Sequence, residues 1–235
     1  MPSFCTTRRR STSMSELKAV LFDMDGTLLD SERLWDIAVY ELSASFGREL
    51  TPEVRESTLG NSMMGALAKV FAHVGREATP ENLAEAAQWL NTRVVELFGE
   101  GLPWRPGAEA ALDLVKSAGL GCALVTNTER MLTEIALETL GRHRFDATVC
   151  GDEVEHAKPA PDPYRRGAHM LGVDAGSCVA VEDSPTGTES AIAAGCAVVV
   201  VPSEVRVPEG PGRTFRTTLE GLTLDDLRSA RARGH

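Results

Sequence analysis

No two of the five cysteines (Cys5, Cys122, Cys150, Cys178, Cys196) stand in a CxxC spacing, and four of them lie in or beside apolar runs. That argues against a disulfide framework or a cysteine metal cluster and for reduced thiols in the core of a cytoplasmic protein. No apolar run approaches the roughly 20 residues that cross a bilayer, so no membrane partner is expected. Positive charge is also short. Lys and Arg total 24 against 34 Asp and Glu, a formal charge of -10. Such a surface repels phosphate backbones and argues against nucleic acid as a partner. A small anion remains compatible, because a local cationic pocket can work inside an acidic protein. The basic triplet Arg8 to Arg10 is followed by no apolar stretch. Residues 1–15 therefore read as a disordered tail rather than a signal peptide.

What the chain does have is a sizeable apolar fraction, 43% of 235 residues, ample for a core. Short apolar runs stand apart at Ala19–Phe22, Cys122–Val125, Ala147–Cys150, Cys178–Val181 and Ala197–Val201. They lack polar alternation, as strands buried on both faces do. Helical segments with their own signals separate them. One opens at Pro106 and Gly107 and runs to Gly119; Thr128 caps another ending near Gly141. Asp162 reads as an N-cap before Pro163 with Gly172 closing that helix, and Ser184 with Pro185 begins one that stops at Gly195. This alternation predicts an α/β fold with a doubly wound parallel, Rossmann-like sheet.

Between the first two runs, Leu34 to Phe98 carries helical patterning punctuated by Gly47, Gly75 and Gly99. A connection of that length is expected to be a structured insertion, here an all-α helical bundle. The division expected is core at 16–32 and 103–235 and helical cap at 33–102, hinged near Asp30–Arg33 and Leu102–Pro106.

Polar residues of catalytic type follow several of the buried runs. The first ends in Asp23-Met24-Asp25, the second in Thr126-Asn127 and the fourth in Glu182-Asp183-Ser184. Beyond the third lies Lys158 in "KPAPDPY", where three prolines hold the backbone extended. Ligands of open parallel sheets bind beyond the carboxyl ends of the strands. Taken singly, each cluster is an ordinary turn, cap or solvated loop; their joint order points to one site. Four converging carboxylates (Asp23, Asp25, Glu182, Asp183) would repel one another without a cation, and Mg²⁺ suits such oxygen ligands best. Lys158 and the Thr126 hydroxyl offer donors to phosphoryl oxygens. A carboxylate in that setting is a candidate nucleophile, and a second one a candidate acid and base.

The segments "DMDGTLLDSE", "LVTNT", "KPAPDPY" and "VEDSPTGTESAIAAG", in that order, resemble the four signature motifs of the haloacid dehalogenase superfamily. They are closest to its members with a helical cap inserted after the first motif, the branch of phosphatases and β-phosphoglucomutases. The resemblance implies that Asp23 attacks phosphorus and that Asp25 acts as general acid and then base. It further implies that Thr126 and Lys158, assisted by the Asn127 backbone, bind the phosphoryl group. Asp23, the Asp25 carbonyl and Asp183 would hold Mg²⁺ with Glu182 beside them.

The resemblance covers several chemistries. Dehalogenases usually lack the second acid of the first motif, and this chain has Asp25. Trp35 and Met63 stand where β-phosphoglucomutases carry a histidine and a cap arginine; Lys69 is the nearest candidate for the lysine of phosphonatases. Hydrolysis of small phosphorylated metabolites, sugar phosphates foremost, is the expected activity. A phosphosugar mutase and a non-catalytic binding protein on the same fold are the alternatives. Trp35, Asn61, Ser62 and Met63 are the candidate cap residues facing substrate, and the five histidines show no ligand or base spacing. The patterning accommodates a monomer or a homodimer.

Overall fold

Successive residues of a strand point to opposite sides of its sheet, so a strand apolar throughout needs cover on both faces. A computed structural model of the chain describes residues 16–58, 63–203 and 205–234. Strands β1 (Ala19–Phe22), β2 (Gly121–Val125), β3 (Ala147–Val149), β4 (Cys178–Glu182), β5 (Ala197–Val200) and β6 (Arg213–Phe215) form one parallel sheet in the order β3-β2-β1-β4-β5-β6. The chain winds outward from β1 through β2 to β3, then returns to place β4 on the other side of β1. The crevice of an open sheet lies at such a reversal.

β6 is the element absent from the sequence reading. Its three residues, Arg213, Thr214 and Phe215, are half-buried or exposed and pair only with β5 at the sheet edge. An edge strand needs no apolar run, so its pattern carries no buried signal.

The insertion after β1 is helical throughout its described residues: α1 (Glu32–Ser45), α2 (Pro52–Thr58), α3 (Met63–Val74) and α4 (Pro80–Glu100). In α4 the buried residues Leu90, Val94, Leu97 and Phe98 recur at helical spacing and form one apolar stripe. Thr79 caps this helix by accepting from the Asn82 amide at 3.2 Å, and Pro80 occupies the first turn, where its missing donor costs nothing. The two segments joining insertion and sheet lie side by side: the Asp30 amide donates to the Pro103 carbonyl and the Arg105 amide to the Leu28 carbonyl, both at 2.9 Å.

Helices α5 (Ala108–Ser117), α6 (Arg130–Leu140), α7 (Asp162–Met170), α8 (Pro185–Ala194) and α9 (Leu224–Arg233) complete the layers. Val20, Phe22, Cys122, Leu124, Val179 and Val181 face one apolar cluster, shared with Leu112 of α5, Leu137 of α6 and Leu227 of α9. Ala19, Leu21, Ala123, Val125 and Ala180 face the other, closed by Tyr164 of α7 and Ala191 of α8. The insertion shares the first cluster: Leu42 of α1, Leu67 of α3 and Leu90 of α4 belong to it, as do Met24, Leu28, Leu29 and Leu102 of the joining segments. Each buried Val or Leu contributes about 1.5–3 kcal/mol, so both faces hold the sheet rigid beneath its polar rim.

Two helix starts differ from the sequence expectation. Thr128 does not cap α6: Glu129 occupies the cap position, and the Arg130 amide donates to Asp152 Oδ1 at 2.9 Å. The N-cap position of α7 is Pro161, which places Asp162 inside the helix. Ser184 does cap α8, accepting from the Gly187 amide at 3.0 Å. Cys122, Cys150, Cys178 and Cys196 are buried free thiols; Cys5 and residues 1–15 lie outside the described residues. No helix among the described residues is long and apolar enough to cross a membrane.

Candidate active site

β1 and β4 are neighbours in register, Phe22 opposite Val181, so the residues leaving their ends emerge together. The Asp23 amide donates to the Val181 carbonyl at 3.0 Å, which carries the ladder one residue past the strand and fixes the Asp23 side chain at the crevice. The chain then turns: the Leu28 and Leu29 amides donate to the Met24 carbonyl at 2.9 and 3.0 Å. Gly26 makes the turn at φ +78, and a Cβ there would stand 2.2 Å from Asp183 Oδ2. Only glycine meets both demands without strain.

Among the described residues, Lys158 is the one cation inside this group. Its ammonium donates to Asp23 Oδ1 at 2.5 Å and to Glu182 Oε1 at 2.8 Å, with 8% of the residue exposed. Asn127 holds the lysine's backbone from both sides: its Oδ1 accepts from the Lys158 amide at 2.9 Å and its Nδ2 donates to the Lys158 carbonyl at 3.2 Å. The Asn127 side chain thus positions the lysine, a task beyond the backbone role that the resemblance implies.

Glu182 is fully buried and fully engaged. Besides Lys158, it accepts from Tyr164 Oη at 2.6 Å, the Asp183 amide at 3.2 Å and Ser184 Oγ at 3.2 Å. Gly187 leaves room for it, since a Cβ at that position would lie 1.8 Å from Glu182 Oε1. Asp183 accepts from Thr27 Oγ1 at 3.3 Å and Ser203 Oγ at 2.5 Å. Carboxylate oxygens of Asp23, Glu182 and Asp183 all lie within 4.8 Å of one another.

Asp25 faces the other way. Its Oδ1 accepts from Ser31 Oγ at 2.5 Å; its Oδ2 accepts from Thr126 Oγ1 at 3.1 Å and Thr128 Oγ1 at 2.7 Å. These donors come from the α1 start and the β2 end, so one carboxylate ties the insertion's first helix to the sheet.

The electrostatics follow from burial. Asp23 is raised well above the ordinary carboxylate range by loss of solvent; Lys158 opposes this, while Glu182, Asp183 and Asp25 add to it. Burial, and then Glu182, pushes Asp183 up to about 7, against the Ser203 hydrogen bond. Burial pulls Lys158 down, but Asp23 and Glu182 more than compensate and hold it above its ordinary value. Three buried carboxylates against one buried ammonium leave a charge deficit that a divalent cation matches, and their oxygen donors are of the hard type Mg²⁺ takes.

Asp23, Asp25, Thr126, Asn127, Lys158 and Asp183 line a small cavity of about 140 Å³. It meets a larger one of about 400 Å³ beneath α1, α2 and α4, with Asp25, Glu32 and Asn127 on both walls. Trp35 and Met63 line the larger cavity; Asn61 and Ser62 lie outside the described residues. Lys69 is turned away, donating to the Ser57 carbonyl. None of the described histidines lines either cavity.

Tyr164, Ser203, Thr27, Ser31 and Thr128 were not singled out as site residues in the sequence, Thr128 having been read only as a helix cap. Tyr164 closes the "KPAPDPY" segment in the first turn of α7, and its place in that motif was the available signal. Ser203 follows β5 with no motif around it.

The sequence profile of haloacid dehalogenase-like hydrolases matches residues 17–195. Protein CbbY of Rhodobacter capsulatus is 34% identical over 200 residues, covering 80% of this chain and 87% of the relative. Hexitol phosphatase B of Escherichia coli strain K12 is 32% identical over 192 residues, covering 80% and 85%. A mutant of CbbY from Rhodobacter sphaeroides, crystallised with xylulose 1,5-bisphosphate, superposes with a TM-score of 0.77 at 30% identity, over 90% of this chain and 99% of that one.

Proposed function

Because the chain belongs to the haloacid dehalogenase-like hydrolases, we propose that it is a Mg²⁺-dependent cytoplasmic phosphatase of small phosphorylated sugars. The observation that carries this reading is the buried Asp23–Lys158 pair at the mouth of a cavity shared with Asp25. Lys158 neutralises one oxygen of Asp23 and presents an ammonium to incoming phosphoryl oxygens, which makes approach of an anion to a carboxylate feasible. The similarity to CbbY and hexitol phosphatase B supports a sugar phosphate as substrate.

An oxygen of Asp23 attacks phosphorus, and the bond from phosphorus to the ester oxygen breaks. Asp25 gives its proton to that oxygen, releasing the alcohol and leaving Asp23 as an acyl phosphate. Asp25, now a carboxylate, takes a proton from water as the water oxygen attacks phosphorus. The bond from phosphorus to Asp23 breaks, inorganic phosphate leaves, and both side chains return to their starting states. Thr126 shifts its hydroxyl from Asp25 to a phosphoryl oxygen, and Ser31 and Thr128 keep Asp25 aimed. Asp23, Asp183 and the Asp25 carbonyl, with Glu182 beside them, are the residues to hold Mg²⁺, which when bound offsets the negative charge of the phosphoryl group. Residues 33–102 act as the cap over the core of 16–32 and 103–235, excluding water from the acyl phosphate.

The test is hydrolysis of p-nitrophenyl phosphate with Mg²⁺ and with EDTA. Turnover in the first and none in the second supports the proposal; absence of turnover with Mg²⁺ overturns it.

A further inference from the structure

The larger cavity has an unusual charge balance for a pocket that receives phosphorylated compounds. Besides Asp25, the proton donor of the proposed reaction, its described lining includes two carboxylates (Glu32, Glu129) and one cation, Arg55 of α2. Residues 59–62, which connect α2 to α3, carry no charge. Arg55 is already spoken for. Its Nε donates to Asp36 Oδ1 at 2.5 Å, its Nη2 pairs with the same oxygen, and its Nη1 donates to Thr58 Oγ1 at 2.8 Å. The guanidinium side chain is only 13% exposed and the Asp36 side chain 34%, so the cation is the better shielded half of the pair. Asp36 sits on α1 and is not among the cavity's lining residues.

We propose that Asp36 masks Arg55 and thereby sets substrate class: the cavity takes a neutral, hydroxyl-bearing leaving group and rejects one that carries a second phosphate. This rests on the phosphatase reading above. A second phosphate brings close to two further negative charges. Inside this cavity it would meet carboxylates and a cation whose charge is cancelled, and juxtaposed like charges discriminate strongly against a ligand. A neutral polyol meets a different surface. Its hydroxyls donate to Glu32 or Glu129 and exchange hydrogen bonds with Asn91, while Trp35 offers an apolar wall. A cavity of about 400 Å³ lies in the range of small-ligand pockets. A merely structural bridge between α1 and α2 is the plain alternative. It predicts that removing the Asp36 charge changes stability and leaves substrate preference alone.

The experiment compares fructose 6-phosphate with fructose 1,6-bisphosphate, using kcat/KM from initial phosphate release, in the wild type and in Asp36→Asn. The wild type is expected to favour the monophosphate by about tenfold or more. Asp36→Asn, in which Arg55 is unmasked, is expected to raise kcat/KM for the bisphosphate by about tenfold with the monophosphate little changed. The gain should vanish in Asp36→Asn/Arg55→Gln, and p-nitrophenyl phosphate turnover should persist in Asp36→Asn. A wild type that takes both sugars equally overturns the proposal, and this result needs no variant to fold. So does Asp36→Asn with turnover of p-nitrophenyl phosphate intact and an unchanged ratio. No turnover of p-nitrophenyl phosphate by the wild type instead overturns the phosphatase reading, and this inference with it.

Discussion

Lys158 Nζ lies 2.5 Å from Asp23 Oδ1, with both side chains buried and Glu182 Oε1 on the lysine's other side. One ammonium therefore holds two carboxylates that would otherwise repel each other. Removing a single partner from such a buried group costs about 3–5 kcal/mol, because the remaining charges stay uncompensated. Lys158→Met is expected to lower the urea midpoint accordingly and to reduce kcat for p-nitrophenyl phosphate by about 10²–10³-fold, as loss of one electrostatic donor does elsewhere. Adding Glu182→Gln should recover part of the stability and none of the activity. Equal midpoints for wild type and Lys158→Met would contradict the pairing.

Gly187 keeps the space that Glu182 fills, and a Cβ there would lie 1.8 Å from Glu182 Oε1. Gly187→Ala must push the carboxylate aside and disturb Lys158 through it. The expected result is a fall in kcat of about tenfold or more with the helical circular dichroism signal unchanged. Gly195→Ala, at a position where a Cβ meets nothing within 4 Å, controls for backbone effects, although its φ of +99 carries a strain penalty of about 1 kcal/mol or more. Full activity in Gly187→Ala would show that Glu182 does not set the lysine's place.

The buried acids give stability a definite pH dependence. Burial lifts Asp183 from an ordinary 3.8 to about 7, and Asp23 is raised as well. A raised acid keeps its proton in the folded chain where the unfolded chain has released it. Its stabilising contribution is complete below the unfolded value and lost as pH rises through the folded one. In EDTA, Tm is therefore expected to fall from about pH 4 toward about pH 7 on account of these groups. Added Mg²⁺ should raise Tm more at neutral pH than at pH 5, because binding competes with the protons. A Mg²⁺ effect that is independent of pH, or absent, would count against a site at these carboxylates.

Asp25 accepts from Ser31, Thr126 and Thr128, and the Thr128 bond is the shortest from the sheet side at 2.7 Å. Thr128→Val removes that donor while nearly keeping the volume. Misaimed acid–base groups cost rate rather than affinity, so kcat should fall by about tenfold with KM nearly constant. A change confined to KM would place Thr128 in substrate binding instead.

Much of this arrangement was legible in the sequence because burial on both faces leaves an unmistakable trace. Phe22, Val125 and Val181 end runs that admit no polar residue, so the Asp, Thr and Glu that follow mark strand ends. The edge strand Arg213–Phe215 escaped because one neighbour and partial exposure impose no such pattern. Tyr164 and Ser203 escaped for another reason. Their roles come from contacts with Glu182 and Asp183 that chain separation conceals, and a buried tyrosine reads as core until its hydroxyl partner is seen. Thr128 carried a true cap signal, a hydroxyl ahead of a helix, but Asp25 took the hydroxyl and Asp152 took the helix amide.

The claim on which the rest depends is that Asp23 carries the phosphoryl group. Asp25→Asn, mixed with p-nitrophenyl phosphate and Mg²⁺ and quenched in acid, should trap it, since that leaving group departs without a proton and the second step lacks its base. Peptide mass spectrometry is expected to find one added phosphoryl group on the peptide containing Asp23, lost on treatment with hydroxylamine and absent in Asp23→Asn. A phosphoryl group on any other residue, or turnover by Asp23→Asn equal to the wild type, would contradict the account.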